Sequence, residues 1–235
     1  MHVSNLYLIP QQVELARRLC ELCFAEKAFF ANSGGEANEA AIKLARLYSK
    51  TKFGENRYEI ITVRNSFHGR TLATLTATGQ EKVQKGFEPL PVGFHYGIFN
   101  DLDSVRAQVT DKTCAIMIEP VQGEGGVTAA TPEFMTGLRE LCDQRNLLLI
   151  FDEIQCGMAR CGKMFAHQNY DIEPDIMTLA KALGNGLPIG ADGFAAKDAA
   201  IGKGQNGWRK GWLSQETSRR SRLEQTQIVK KRDDV

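Results

Sequence analysis

Apolar residues recur at three- and four-residue steps through PQQVELARRLCELCFA, with Val13, Ala16, Leu19, Cys20 and Cys23 on one side. That period predicts an amphipathic helix over 10–25. A short apolar run, KAFFAN, predicts a strand leading into Ser33-Gly34-Gly35. A second helical pattern follows, with Ala37, Ala40, Ala41, Leu44, Ala45 and Tyr48 on one side. YEIITVRN, CAIMIEP, LLLIFDE and PDIMTLAK are apolar over most of their length and predict strands. TPEFMTGLRELCDQRN predicts a helix, with Thr131 as N-cap and Pro132 at its first position. SFHGRT reads as a polar turn.

Fully apolar strands separated by helices indicate an α/β fold, a mostly parallel sheet with helices on both faces. Asn32, Glu119, Asp152 and Lys181 each end an apolar run. Carboxyl ends of strands are where such sheets place their chemistry, so the four residues point to one crevice. The pattern stops after residue 191. Residues 192–235 hold ten Lys/Arg and six Asp/Glu, a net +4, with few large apolar residues and no strand or helix period. The chain therefore reads as a folded domain over 1–191 and a divergent basic tail over 192–235 without fixed structure.

Composition changes this picture little. The 235 residues are 43% hydrophobic and 24% charged, ordinary for a globular protein. A net charge of +1 gives no global pull toward nucleic acid or an anionic membrane. The basic tail alone reads as solvated rather than as a nucleic-acid site. No apolar run approaches the roughly 18 residues of a membrane span. The N-terminus lacks a basic region followed by an apolar core, so the expectation is a cytoplasmic protein with reduced thiols. Six cysteines in this length do not read as a disulfide framework. Cys20 and Cys23 form a CxxC with helical period and no second ligand pair, so no metal site is predicted.

Each candidate chemical group has a plain reading beside a chemical one. Ser33-Gly34-Gly35 can be a tight strand–helix turn, or it can cradle a phosphate with backbone N–H groups at a helix start. Lys181, beside the glycine turn GNG, can be a strand-end lysine whose head reaches water. It can also be a desolvated, nucleophilic Schiff-base lysine. Asp152 needs a cation: a helix cap, a metal, or the proton of a heterocyclic nitrogen. Glu153 is its neighbour, but adjacent strand residues point to opposite faces, so the two are not expected to pair. Glu119 and Glu124 flank a glycine turn and can be plain carboxylates. Phe67 and His68 put an aromatic face on a turn, where it can stack on a flat ligand or join the core. The four histidines, at 2, 68, 95 and 167, are too scattered for a metal hydrolase, and a serine-hydrolase GxSxG is absent. A phosphate cradle, an aromatic wall, a strand-end Asp and a lysine together form an inventory for pyridoxal phosphate.

FFANSGGEANEAAIKLAR, NSFHGRTLATLTATGQ, IEPVQGEGGVTAATPEF, LLIFDEIQCGMARCGKMFAH and PDIMTLAKALGNGLPIGA resemble the class III, fold-type I pyridoxal-phosphate aminotransferases. The resemblance covers residues 2–191 almost continuously. It implies the large cofactor-binding domain of that fold and pyridoxal 5'-phosphate as cofactor. Lys181 would be the Schiff-base lysine and proton shuttle, and Asp152 the partner of the pyridine nitrogen. Gln155 would bond the ring-hydroxyl side, and Phe67, next to His68, would stack on the ring. Ser33, Gly34 and Gly35 would hold the phosphate. Arg70 would bind a substrate carboxylate, Glu124 would help select ω-amino groups, and Glu119 would be a supporting carboxylate. Where Gly35 stands, most relatives have Ala or Thr, which backbone donors should tolerate.

Within the family the resemblance is strongest to enzymes moving the amino group of N-acetylornithine or N-succinyl-diaminopimelate to 2-oxoglutarate. Ornithine, 4-aminobutyrate and succinylornithine are alternative donors, and a catalytically dead remnant is the alternative to an enzyme. Family chains extend further at both ends, so the sequence reads as truncated, its tail as read from a shifted or unrelated frame. The resemblance also implies a homodimer with the site at the interface, an assembly that loss of those segments would weaken.

Overall fold

A computed structural model of the chain describes residues 7–195 and, as a strand, Trp212–Ser214. The reading of 196–235 as unstructured lies outside the described residues, that strand aside. The chain divides into two compact units, Phe30–Asp192 and the remainder on either side. In the remainder, helix α1 (Pro10–Leu22) buries Val13, Ala16, Leu19 and Cys20, the face expected from the sequence. Strand β1 (Lys27–Ala31) begins there and pairs antiparallel with Trp212–Ser214. Cys20 and Cys23 form no disulfide among the described residues, and Cys23 Sγ donates to the Leu19 carbonyl at 3.2 Å at the helix end.

The unit Phe30–Asp192 contains α2 (Gly34–Phe53), β2 (Glu59–Val63), α3 (Leu72–Ala77), α4 (Glu81–Gln84), β3 (Phe94–Gly97) and α5 (Leu102–Arg106). It continues with β4 (Thr113–Ile118), the hairpin β5 (Val121–Gln122) and β6 (Thr128–Ala129), and α6 (Pro132–Arg145). The last elements are β7 (Leu148–Asp152), β8 (Ile176–Leu179) and β9 (Gly190–Phe194), whose final two residues lie beyond the unit. Its strands run in the order β9-β8-β7-β4-β2-β3, and the β2–β3, β2–β4, β4–β7 and β7–β8 pairs are parallel.

Strand alternation sorts the buried residues into two layers. Ile61, Val63, Ile116, Ile118, Leu149 and Phe151 join Val105 of α5 and Phe134, Leu138 and Leu141 of α6 in one core. The other face takes α2, which packs on β4, β7 and β8. Its buried stripe of Ala37, Ala40, Ala41 and Ala45 keeps the helix close to the sheet. The signals at α6 are as expected: Thr131 Oγ1 accepts from Phe134 N at 3.2 Å and Pro132 opens the helix. No helix among the described residues is long and apolar enough to cross a membrane.

The position expected to close the folded domain, residue 191, lies within β9 (Gly190–Phe194). β9 continues to Phe194 and is buried at every position. This puts Asp192, 2% exposed, inside the sheet. Its Oδ1 has no hydrogen-bond partner among the described residues, and burial, with the charge of Asp152 added, pushes its pKa well above the usual carboxylate range. Such a group keeps its proton on folding, whereas the unfolded chain loses it above about pH 4. Between those limits stability falls as pH rises. Asp192→Val should therefore stabilise the chain at pH 7.5 by about 1–3 kcal/mol, the cost of an unsatisfied buried polar group. The gain should shrink toward pH 4.5. Thermal melts across that range check this, and a gain that does not vary with pH would assign the effect to polarity rather than to charge.

Candidate active site

Strand β7 ends in Asp152, 3% exposed. Its Oδ2 accepts from Asn38 Nδ2 of α2 at 2.7 Å and faces His68 Nδ1 at 2.8 Å. Its Oδ1 accepts the Ile154 N–H at 3.1 Å. Asn38 also donates to the His68 carbonyl at 2.7 Å and accepts from Thr178 Oγ1 of β8 at 2.7 Å. The carboxylate is thus held by a helix, a loop and a turn, with acceptor-only chemistry matched to donors on both oxygens. Glu153 points the other way, as strand geometry requires. It accepts from the backbone N–H groups of Ala166 and His167 and pairs with the His167 ring at 2.9 Å.

Asp152 forms part of the floor of an open cleft of about 480 Å³. On one side, β1 enters the helix start Ser33-Gly34-Gly35. Ser33 Oγ accepts from Glu36 N at 3.2 Å, and the N–H groups of Gly34 and Gly35 are among the first-turn donors that a helix cannot use internally. A Cβ at Gly35 would come no closer than 3.8 Å to another residue, while one at Gly34 would meet Ile154 at 2.8 Å. Phe67, His68 and Gly69 form another wall, and Gly186–Ile189 a third. Gln155 lines the cleft and reaches Glu124 Oε1 at 3.4 Å. Gly123 approaches so closely that a Cβ there would strike the Gln155 amide.

Lys181 lies two residues beyond β8, in a 3₁₀ turn, Lys181–Leu183, with left-handed backbone, φ 44°. That conformation costs a non-glycine residue roughly 1–2 kcal/mol and concentrates at functional positions. Its side chain opens on the cleft but is exposed, so the desolvation expected of a nucleophilic lysine is not supplied by the described residues.

Of the expected residues, the structure brings Ser33, Gly34, Gly35, Phe67, His68, Asp152, Gln155 and Lys181 to one cleft. Three stand beside it. Glu119 is buried behind the wall and accepts from Phe67 N at 3.0 Å. Arg70 is exposed, its Cζ 5.9 Å from the centre of the Phe67 ring. Glu124 is exposed at the rim, tied to Gln155. SFHGRT is a turn, but not a solvated one, because Ser66 and His68 are buried. Two partners were not foreseen, Asn38 and Thr178. The readable signal was a single amide within the alanine stripe of α2.

Burial opposes the charged form of His68, but the hydrogen bond and charge of Asp152, with Glu119 behind, raise its pKa above the ordinary value. Burial pushes Glu119 up to about 7; the charge of His68 lowers it and that of Asp152 raises it. An anion-seeking helix start, an aromatic wall, a supported carboxylate and a lysine fit a phosphorylated, protonated heterocyclic aldehyde.

Known proteins are similar to this chain in sequence and fold. The family described as Aminotransferase class-III matches residues 1–204. An acetylornithine aminotransferase of Caldanaerobacter subterraneus subsp. tengcongensis is 55% identical over 203 residues, 86% of this chain and 51% of its own. A succinylornithine transaminase of Yersinia pseudotuberculosis is 53% identical over 196 residues, 81% of this chain and 47% of its own. Among solved structures, a PLP-bound amine transaminase from an uncultivated Pseudomonas species superposes with a TM-score of 0.80 at 26% identity. It covers 89% of this chain and 53% of that one. The chain spans about half the length of the curated relatives it matches. On the family match and the identity to these relatives, the chain belongs to the class III aminotransferases.

Proposed function

We propose that this chain binds pyridoxal 5'-phosphate and carries the cofactor half of an aminotransferase acting on an N-acylated ornithine-type donor. The observation that carries the reading is the convergence of Asp152 and Lys181, from adjacent strands β7 and β8, on one cleft with the Gly34–Gly35 turn. When bound, the cofactor supplies an electron sink for the electron pair left as a proton departs from the donor carbon that bears the transferred amino group. The N–H groups of Gly34 and Gly35, with Ser33, would hold its phosphate. Asp152 would accept the ring N–H and keep that proton in place. Phe67 would cover the ring and Gln155 its hydroxyl side. Lys181 Nζ would hold the aldehyde and carry the proton taken from the donor carbon that bears the transferred amino group.

Arg70 and Glu124 stand at the rim, where a donor enters. A guanidinium fork suits a carboxylate, and 2-oxoglutarate would use it in the second half of the exchange. The names of the relatives favour N-acetylornithine or succinylornithine over ornithine and 4-aminobutyrate. N-Succinyl-diaminopimelate has the same acylated amino-acid form. The exposure of Lys181 favours a homodimer in which a second subunit closes the cleft, in the cytoplasm where these metabolites occur. Residues 1–191, extended by the end of β9, form the cofactor domain in this reading.

The purified chain mixed with pyridoxal phosphate should show a visible band absent in Lys181→Ala, and N-acetylornithine should shift it. A band that does not depend on Lys181 would reject the assignment. A dependent band that no donor shifts would leave a cofactor-binding chain without turnover. Steric contacts separate the two glycines. Gly35→Ala should leave cofactor affinity within about twofold and stabilise the helix by about 0.5–1 kcal/mol. Gly34→Ala should weaken the cofactor by about tenfold, since displacement of Ile154 disturbs the turn that fixes Asp152. Titration of the visible band and thermal melts check both.

A further inference from the structure

The glycine-turn end of the cleft is shaped by an acid as well as by glycines. Strand β1 ends at Ala31, and Asn32 and Ser33 lead into α2. Glu36, in the first turn of α2, reaches back over them. Its Oε2 accepts the Asn32 backbone N–H at 2.7 Å and the Asn32 side-chain Nδ2 at 2.9 Å. In return, Ser33 Oγ accepts the Glu36 N–H at 3.2 Å. The arrangement is a capping box displaced by one residue, a device that fixes how a chain enters a helix. Asn32, Ser33, Gly34 and Gly35 all line the cleft. Glu36 therefore fixes the stretch of backbone that presents the Gly34 and Gly35 N–H groups.

Its charge acts in the opposite sense. Glu36 is exposed, its bonds to Asn32 are to neutral groups, and it makes no ion pair among the described residues. Lys181 is the one lysine or arginine among the described residues that line the cleft. The cofactor reading assigns its amine to the aldehyde, not to the phosphate. A phosphate in the glycine turn is then held by backbone dipoles beside a fixed negative charge. A carboxylate in the first turn of a helix stabilises that helix, and it repels an anion bound at the same end.

We propose that Glu36 is a positioning residue that sets how tightly the cleft holds a phosphate: its bonds to Asn32 fix the turn, and its uncompensated charge keeps the affinity down. The inference rests on the cofactor reading for the identity of the ligand, and on the Asn32–Glu36 contacts for the rest.

Two variants separate the bonds from the charge. Glu36→Gln keeps an acceptor for both Asn32 N–H groups and removes the charge. Glu36→Ala removes both. Pyridoxal phosphate affinity is measured from the visible band, and inorganic phosphate affinity by its competition with that band and by calorimetry on the chain alone. Glu36→Gln should bind both ligands about threefold more tightly than wild type at low salt, the scale of one exposed charge at a helix start. The gain should fade in about 1 M salt. Glu36→Ala should bind both about fivefold more weakly than Glu36→Gln, the scale of a lost cap. Glu36→Gln should also melt at a lower temperature than wild type, because α2 loses a favourable acid; a residue that served the fold alone would move melting and binding in the same direction. Glu36→Gln no tighter than wild type, tighter for the cofactor but not for inorganic phosphate, or equal to Glu36→Ala would each overturn the proposal. Should Glu36→Ala not fold, the comparison of Glu36→Gln with wild type decides it. A wild type without a Lys181-dependent band would sink the cofactor reading, and calorimetry with inorganic phosphate then tests Glu36 by itself. A chain that binds neither ligand overturns both.

Discussion

The structure around the cleft depends on one buried negative charge. An ionised carboxylate costs several kcal/mol to desolvate unless donors surround it. Asp152 meets that cost with groups from three separate parts of the chain: the Asn38 amide of α2, the His68 ring and the Ile154 N–H. Asn38 also accepts from Thr178, the residue opposite Asp152 in the β7–β8 register. One carboxylate therefore fixes the height of α2 on the sheet, the path of the 64–71 loop and the turn after β7. These are also the elements that carry the glycine turn, Phe67 and Gln155. Holding the charge and shaping the cleft are a single constraint.

Strand alternation explains how two adjacent acids acquire different duties. Asp152 points to the α2 side, and Glu153 points to the other. There Glu153 ties down the 3₁₀ turn Ala166–Asn169 through two backbone N–H groups and the His167 ring. Both are fully supported buried acids, yet only Asp152 opens on a cleft. The residue at the strand tip meets solvent-sized space, and its neighbour is wrapped by the chain that follows.

The long apolar runs were legible because a buried parallel strand and a long helix impose periods that few other structures share. Strands β2, β4, β7 and β8, helices α1, α2 and α6, and the polar residue at each strand end follow from that pattern. The short elements α3, α4, α5, β3 and the β5–β6 hairpin were not legible. At two to six residues they are set by what they pack on rather than by propensity. The exposure of Lys181 was equally hidden, since an apolar strand before a lysine does not show where the chain turns next. Asn38 and His68 carried a weaker signal. A lone amide in an alanine stripe, and an imidazole in an apparent turn, are polar groups whose cost of burial demands a partner. Only the fold reveals that the partner is Asp152.

Charge then decides what the cleft can hold. Near Asp152 lie Glu119 and Asp192, with one imidazole among three acids. Burial raises the pKa of Asp192 and of Glu119, and the hydrogen bond and charge of Asp152 raise that of His68 against its own burial. At the other end, the start of α2 presents N–H groups and the positive end of the helix dipole. The cleft is thus polarised along its length, cation-seeking at the floor and anion-seeking at the glycine turn. A neutral aromatic ring would satisfy neither end, and a simple phosphate only one. A ring carrying both a phosphate and a protonated nitrogen satisfies both, at a separation that the carboxylate network itself sets by anchoring α2 to β7.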